Sequence, residues 1–346
     1  MKPLMRLRWL PVVALALFLA ACARPALQSQ ESYVFGTRVE VLVWGEPEDK
    51  ARNAMAEVLR EFDRLHRTYH AWQPSEMTAL NDALAAGKSH EVTPEFAGFI
   101  REAQAEAEKG EYLFDPGVGR LVELWGFHDD TFKPQLPDAD KLAALVKAKP
   151  SIAALRVDGT KVSFRGTPNT AVALDFGGYL KGVALDRAAA ILKRDGIRNA
   201  LINIGGNVMA LGSKGDTPWR VGIQHPRKPS PMATLELGDG EAIGTSGDYQ
   251  RFFEIDGKRY CHLIDPRTGW PSTGTEAVTV LIPPGFGNDE AGMWSDVASK
   301  PLFIAGHDWR RLADKLGVTQ VLHVGADGSI EMTDAMRARV KLESAP

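Results

Sequence analysis

Cysteine is nearly absent from this chain: Cys22 and Cys261 are the only two in 346 residues, so no framework of several disulfides holds the fold together. Strong charge of either sign is also missing. The formal net charge is −3, and no block of Lys and Arg is interleaved with aromatics, which argues against nucleic acid as a partner. Neither the phosphate-loop spacing nor Gly-x-Gly-x-x-Gly occurs in the most glycine-rich polar segment, at residues 175–186. Internal repeats, long low-complexity tracts and interdomain linkers are absent as well. What remains is an ordinary globular composition, 44% apolar and 25% charged, sufficient for a sizeable core in one large domain or two intimate subdomains.

The first residues stand apart. Lys2, Arg6 and Arg8 precede an apolar run at 9–21 that is too short for a comfortable membrane span and has the proportions of a signal peptide. It ends in Leu19-Ala20-Ala21-Cys22, which resembles a bacterial lipobox, in which small residues admit the peptidase and the thiol receives a lipid. The alternative is a plain secretory signal with an incidental cysteine. The expected organisation is a signal peptide at 1–21, a polar tether at 22–32 and a catalytic body at 33–342, anchored through lipid on Cys22 to the periplasmic face of a bacterial membrane. Cys261, between Tyr260 and His262 in a strand-like run, reads as a buried inert thiol rather than a nucleophile.

Alternation of apolar and polar residues predicts one first strand over 32–43. Helical spacing at Met55, Val58, Leu59, Phe62 and Leu65 predicts a helix over 48–66, and further amphipathic helices are expected at 94–109, 138–147 and 183–194. Short β-rich runs at 155–165, 200–204, 209–211, 219–224, 232–237, 252–260, 275–282 and 320–324 surround them. Asp256-Gly257 is a hairpin signal. Hairpins together with packed helices point to an α+β fold, a single large domain of mixed, mainly antiparallel sheets.

Four polar, glycine-rich clusters fall at the ends of apolar runs. They are Asp175-Phe176-Gly177-Gly178-Tyr179-Leu180-Lys181-Gly182, Asn203-Ile204-Gly205-Gly206-Asn207, Ser246-Gly247-Asp248-Tyr249 and His262-Leu263-Ile264-Asp265-Pro266-Arg267-Thr268-Gly269. In the first, the glycines permit close backbone approach and Lys181 supplies a compact cation just before a helix N-terminus, an arrangement suited to phosphate. A solvated strand-turn-helix junction would look the same for that cluster alone. Ser246 to Tyr249 reads as a loop.

Taken in order, the four clusters resemble those of the ApbE family, the FAD:protein FMN transferases, over a stretch from about Phe35 towards the C-terminus. The resemblance implies FAD as substrate, cleaved at its pyrophosphate, with FMN passed to a threonine or serine of an acceptor protein and AMP released. It also implies a flavin site between two subdomains. Lys181 would offset pyrophosphate charge, His262 would be the general base, and Asp296 would hold Mg²⁺ with the carbonyl of Gly178. The expected cofactor-binding set is Phe35, Tyr69, Trp72, Leu113, Phe114, Asp115, Asp175, Lys181, Ser246, His262 and Ile264, with Trp72 the preferred stacking partner of the flavin. The remaining histidines, His66, His70 and His128 among them, read as surface or hydrogen-bonded residues.

One position departs from the family pattern. Lys300 stands where the metal's third ligand is expected, and an ammonium repels Mg²⁺ rather than ligating it. Metal binding is then weakened or altered: Lys300 replaces part of the metal's charge, or Ser299 or water completes a shifted shell, or Lys300 merely pairs with Asp296. The functional expectation is FMN transfer to a protein of a membrane redox complex after export. The alternatives are an FAD pyrophosphatase giving FMN and AMP, and a periplasmic flavin-binding lipoprotein without turnover.

Overall fold

Leu27–Val34 (β1) and Thr37–Trp44 (β2) form an antiparallel hairpin across a two-residue turn, Phe35-Gly36, in which both residues have positive φ, 56° and 67°. Such a primed turn matches the twist of the two strands. The single strand predicted over 32–43 is therefore two strands, and residues 27–32, predicted as tether, are already paired in the sheet. The computed structural model describes residues 26–129 and 131–343, so the predicted signal peptide and Cys22 lie outside the described residues.

In chain order there follow Glu48–Thr68 (α1), Glu76–Ala85 (α2), His90–Glu91 (β3), Pro94–Lys109 (α3), Gly119–Leu124 (α4), Ala139–Ala148 (α5), Leu155–Asp158 (β4), Lys161–Phe164 (β5) and Leu180–Arg194 (α6). Next come Ala200–Ile204 (β6), Asn207–Leu211 (β7), Trp219–Gln224 (β8), Pro231–Leu237 (β9), Ala242–Gly247 (β10), Phe252–Ile255 (β11), Lys258–Cys261 (β12) and Thr275–Ile282 (β13). The chain closes with Ala291–Ala305 (α7), Trp309–Leu316 (α8), Val321–Gly325 (β14), Ile330–Met332 (β15), Asp334–Arg337 (α9) and Lys341–Leu342 (β16).

Eight strands form the central sheet in the order β1-β2-β6-β7-β10-β13-β14-β15, every neighbouring pair antiparallel. Because side chains alternate across a strand, each central strand feeds two cores. Val39, Val41, Val43, Ile202, Ile204, Val278 and Val280 face the helices, in a core shared with Val58 and Phe62 of α1 and Leu185 of α6. Ala210, Ala277, Leu281 and Leu322 face the other way, towards Trp219, Leu235 and Leu237 of the small β16-β9-β8 sheet. Both faces are covered, which is why all eight residues of β13 are buried. A third cluster, built on Trp125, Phe127, Leu142, Phe253, Tyr260 and Ile264, holds the β11-β12 hairpin against α4 and α5. That hairpin turns at Asp256-Gly257, both with positive φ, as the sequence predicts.

Two helices of the main core cross at glycine. A Cβ at Gly182 of α6 would stand 2.6 Å from the carbonyl oxygen of Gly292 and 2.6 Å from Cα of Met293, both in α7. Each helix also caps the other. Asp186 of α6 accepts the amides of Gly292 (2.8 Å) and Met293 (2.7 Å), and Asp296 of α7 accepts the amide of Gly182 (3.1 Å) through Oδ2. Unpaired amides of a helix's first turn are thus satisfied from the neighbouring helix. Gly182→Ala is expected to lower stability by about 1–3 kcal/mol through overpacking, read as a lower urea midpoint with an unchanged slope; an unshifted midpoint would refute the close crossing.

Candidate active site

Three backbone segments lie at one end of the central sheet: the Phe35-Gly36 turn after β1, the Gly205-Gly206 turn after β6, and Ser246-Gly247, the last two residues of β10. The ladders require it, since Val39 pairs with Ile204 and β10 runs antiparallel to β7, its higher numbers towards Asn207. Gly205 has φ 58°, and a Cβ there would meet Thr37 Oγ1 at 2.6 Å, so the close approach of the first two turns needs glycine. Ser246, predicted in a loop, is the penultimate residue of a strand instead. Facing this end are the C-terminus of α1, the 175–181 segment entering α6, and the third cluster beneath β12. Between them opens a cavity of about 540 Å³.

Every residue of the expected site lines this cavity. Phe35, Tyr69, Trp72, Leu113, Phe114 and Asp115 form part of the wall, Asp175, Gly178 and Lys181 enter from the α6 side, Ser246, His262 and Ile264 come from the sheet end and the segment after β12, and Asp296 and Lys300 from α7. Lys181 lies within the first turn of α6 rather than before a helix beginning at 183. The same wall includes Phe127, Arg251 and the histidines 66, 70 and 128, whose sequence reading is as surface or hydrogen-bonded residues; His70 is hydrogen-bonded, and all three also reach the cavity. The histidines are signalled only in space, because none lies beside a glycine-rich cluster, whereas Arg251 follows the Ser246-Gly247-Asp248-Tyr249 cluster by two residues.

The His262 ring is oriented by a backbone carbonyl. Its Nδ1 lies 3.2 Å from the carbonyl oxygen of Arg251, which can only accept, so Nδ1 carries the hydrogen and Nε2 holds the lone pair. Burial, with Arg251, Lys181 and Lys300 adding to it, pushes the imidazole down from 6.5 to about 3. Asp175 accepts the amide of Gly177 at 2.8 Å, a bond that bends the glycine pair into the cavity; burial raises its carboxyl against that bond and the pull of Arg251. Asp115 Oδ1 accepts the amides of Gly117 and Ile152, both at 2.8 Å, so this side chain fastens the wall segment at 115–118 to the buried backbone at Ile152.

The aromatic wall differs from residue to residue. Tyr69 is a core residue with one edge on the cavity: 2% exposed, its hydroxyl donates to Glu95 at 2.8 Å and its ring packs on Phe96 and Phe99. Trp72 is half-buried with its ring centroid 5.6 Å from that of His128, and its loop is shaped by His70, whose Nδ1 accepts the amides of Trp72 and Gln73. Two polar atoms on this lining, His128 Nδ1 and Arg251 Nε, are buried without a hydrogen-bond partner, leaving donors or acceptors for a polar ligand. Cys261, beside His262, is 1% exposed and burial pushes its thiol up to about 12, which fits an inert residue.

The expected Mg²⁺ position does not fit the residues present. Lys300 Nζ lies 2.6 Å from Asp296 Oδ1 and 2.6 Å from the Asp296 carbonyl oxygen, while Oδ2 accepts Gly182 N–H. Ser299 is likewise engaged, donating to the Asp296 carbonyl (3.0 Å) and bonded to Ser246 Oγ (2.8 Å). Burial pushes the Asp296 carboxyl up, but Lys300 and then Lys181 outweigh it and hold it below 3.8. Among the described residues no group of three or more His, Cys, Asp or Glu side chains is arranged to hold a metal.

Comparison with known proteins places this architecture among flavin transferases. The ApbE family profile matches residues 35–322. A FAD:protein FMN transferase of Rhodobacter capsulatus is 44% identical over 90% of this chain, which spans 58% of that relative's length. One from Klebsiella pneumoniae is 32% identical over 75% of the chain and 74% of its own length. The crystal structure of the ApbE protein from Thermotoga maritima superposes with a TM-score of 0.79 at 30% identity, covering 91% of this chain and 99% of that one.

In the ligand-free protein the His262 ring is expected to stay neutral as pH falls through 6.5 and to gain its proton only near pH 3. The unfolded imidazole protonates first, so stability present above pH 6.5 is lost as pH falls from 6.5 towards 3. NMR titration of the ring, assigned by its disappearance in His262→Asn, checks this, and an ordinary titration near 6.5 would contradict it.

Proposed function

From the premise that this chain belongs to the ApbE family, we propose that it transfers FMN from FAD to a threonine or serine hydroxyl of an acceptor protein and releases AMP. The observation that carries the reading is a neutral imidazole with a free Nε2 set among Lys181, Lys300 and Arg251 in one cavity with an aromatic wall. Its volume falls within the range of roughly 300–1,000 Å³ usual for small-molecule sites.

The residues divide the work as follows. The acceptor hydroxyl oxygen attacks the phosphorus on the FMN side of the pyrophosphate, the bond from that phosphorus to the bridging oxygen breaks, and AMP leaves with that oxygen. The hydroxyl proton passes to Nε2 of His262, the ring held in place by the Arg251 carbonyl. Lys181, at the N-terminus of α6, meets the negative oxygens with both its ammonium and the helix's positive end. Trp72, with Phe35 and Phe114, offers surface for the isoalloxazine ring, and Asp175 is placed to accept from a ribose or adenine donor.

The reading includes an acceptor in a membrane redox complex, met at the periplasmic face after export. The basic N-terminus, the apolar run at 9–21 and the Leu19-Ala20-Ala21-Cys22 sequence support it, with lipid on Cys22 as the anchor. No helix among the described residues is long and apolar enough to cross a membrane.

Incubating the full chain with FAD and the membrane proteins of its own cell is expected to yield a protein adduct whose mass gain equals FMN less one water. His262→Ala should slow its formation about 10²–10⁴-fold. Stoichiometric AMP release without any acceptor would assign hydrolysis instead, and FAD binding without AMP or adduct would leave a flavin-binding protein.

A further inference from the structure

The cation at the base of the cavity is covalently part of the protein. Lys300 stands one helical turn after Asp296 on α7, and its side chain lies across the backbone of Gly178. A Cβ at 178 would be 2.5 Å from Lys300 Cε and 2.9 Å from Cδ, so the second glycine of the pair is what admits the lysine. The ammonium is fixed by Asp296 Oδ1 and the Asp296 carbonyl, each at 2.6 Å, and the lysine side chain is 13% exposed. An ammonium has three donors, and this site engages it with two acceptors, leaving one hydrogen for a third. Lys300 and Lys181 line the same cavity as His262.

We propose that Lys300 is a resident counter-cation that replaces a divalent metal in FMN transfer, so that this chain binds and turns over FAD without one. The proposal rests on the transferase reading of the site. An ammonium carries one charge where a metal carries two, and burial pushes it below the ordinary lysine value, but the ion pair with Asp296 opposes that push, the nitrogen cannot leave the site, and Lys181 and Arg251 line the same cavity. The step balances without a metal. One P–O bond forms from the acceptor, one P–O bond to the bridging oxygen breaks, the proton goes to His262, and nothing is oxidised or reduced. The charge accumulating on the departing AMP phosphate is met by the ammonium groups.

Lys300→Thr empties the space over Gly178 and frees Asp296 Oδ1, whereas Lys300→Gln removes the charge with little change of length. Two quantities are read on the full chain, in EDTA and in millimolar Mg²⁺: FAD affinity by quenching of flavin fluorescence, and the rate of AMP release with acceptor present. For the parent, both are expected to agree within about twofold between the two conditions, and for the variants in EDTA both should fall by about tenfold or more, with Lys300→Thr recovering in Mg²⁺. A parent that gains about tenfold or more from Mg²⁺ in either quantity overturns the proposal. So do variants that bind FAD in EDTA as tightly as the parent. A parent that yields neither AMP nor adduct under any condition defeats the transferase reading alone, and the FAD affinities still decide the role of Lys300.

Discussion

Reciprocal capping between α6 and α7 is the constraint from which the site follows. Each helix places an aspartate on the free amides of the other, Asp186 on Gly292 and Met293, Asp296 on Gly182, and the two backbones approach closely because glycine stands at the crossing. The two carboxylates occupy similar positions yet ionise differently. Burial pushes Asp186 up to about 7, opposed only by the two amides it accepts, whereas Asp296 is buried too but held below its ordinary value by Lys300 and Lys181. One cap is therefore structural, and the other is charged because cations surround it. With the crossing fixed, Lys181 and Lys300 are brought to one cavity although 119 positions separate them in sequence.

The sheet supplies the opposite wall. Because neighbouring strands are antiparallel, the turns at Phe35 and Gly205 and the end of β10 at Ser246 gather at one end, although residues 45–199, with helices α1 to α6, intervene between β2 and β6. The third cluster, around Trp125 and Phe253, adds the segment carrying His262 and joins the two halves: Trp125 Nε1 donates to the carbonyl of Gly269 at 2.7 Å. Strand and helix ends thus frame the cavity, and the irregular segments between them carry Trp72, Asp115, Asp175 and His262.

What could be read from the chain depended on whether a residue announced its environment locally. The glycine-rich clusters did, because a backbone that must approach another backbone or a lysine stem needs glycine whatever the context, as at Gly205 and Gly178. The hairpin at Asp256-Gly257 did as well. The first hairpin did not: Phe35 occupies a left-handed turn position that aromatic residues rarely take, and its neighbours alternate as one strand would. Helix α7 gave no periodic signal because 13 of its 15 residues are buried, so no polar stripe marks its outer face. The histidines at 66, 70 and 128 reach the cavity only through tertiary folding, and nothing beside them in sequence distinguishes them from surface residues.

The arrangement of cations also couples binding to proton transfer. Arg251, Lys181 and Lys300 would offset the pyrophosphate, and the same three groups reinforce burial in keeping His262 neutral. On the proposed reading, an anionic pyrophosphate placed among them would oppose their push on the imidazole, so the affinity of Nε2 for a proton would rise with FAD in place and fall back once AMP had left. His262 would then be the stronger base with substrate in place and the weaker one in the empty site, where a protonated ring would add a positive charge beside Arg251, Lys181 and Lys300. On that reading a lysine at position 300 would suit this coupling because its nitrogen cannot leave the site; burial pushes its ammonium below the ordinary lysine value, the ion pair with Asp296 opposes that push, and Lys181 adds to it.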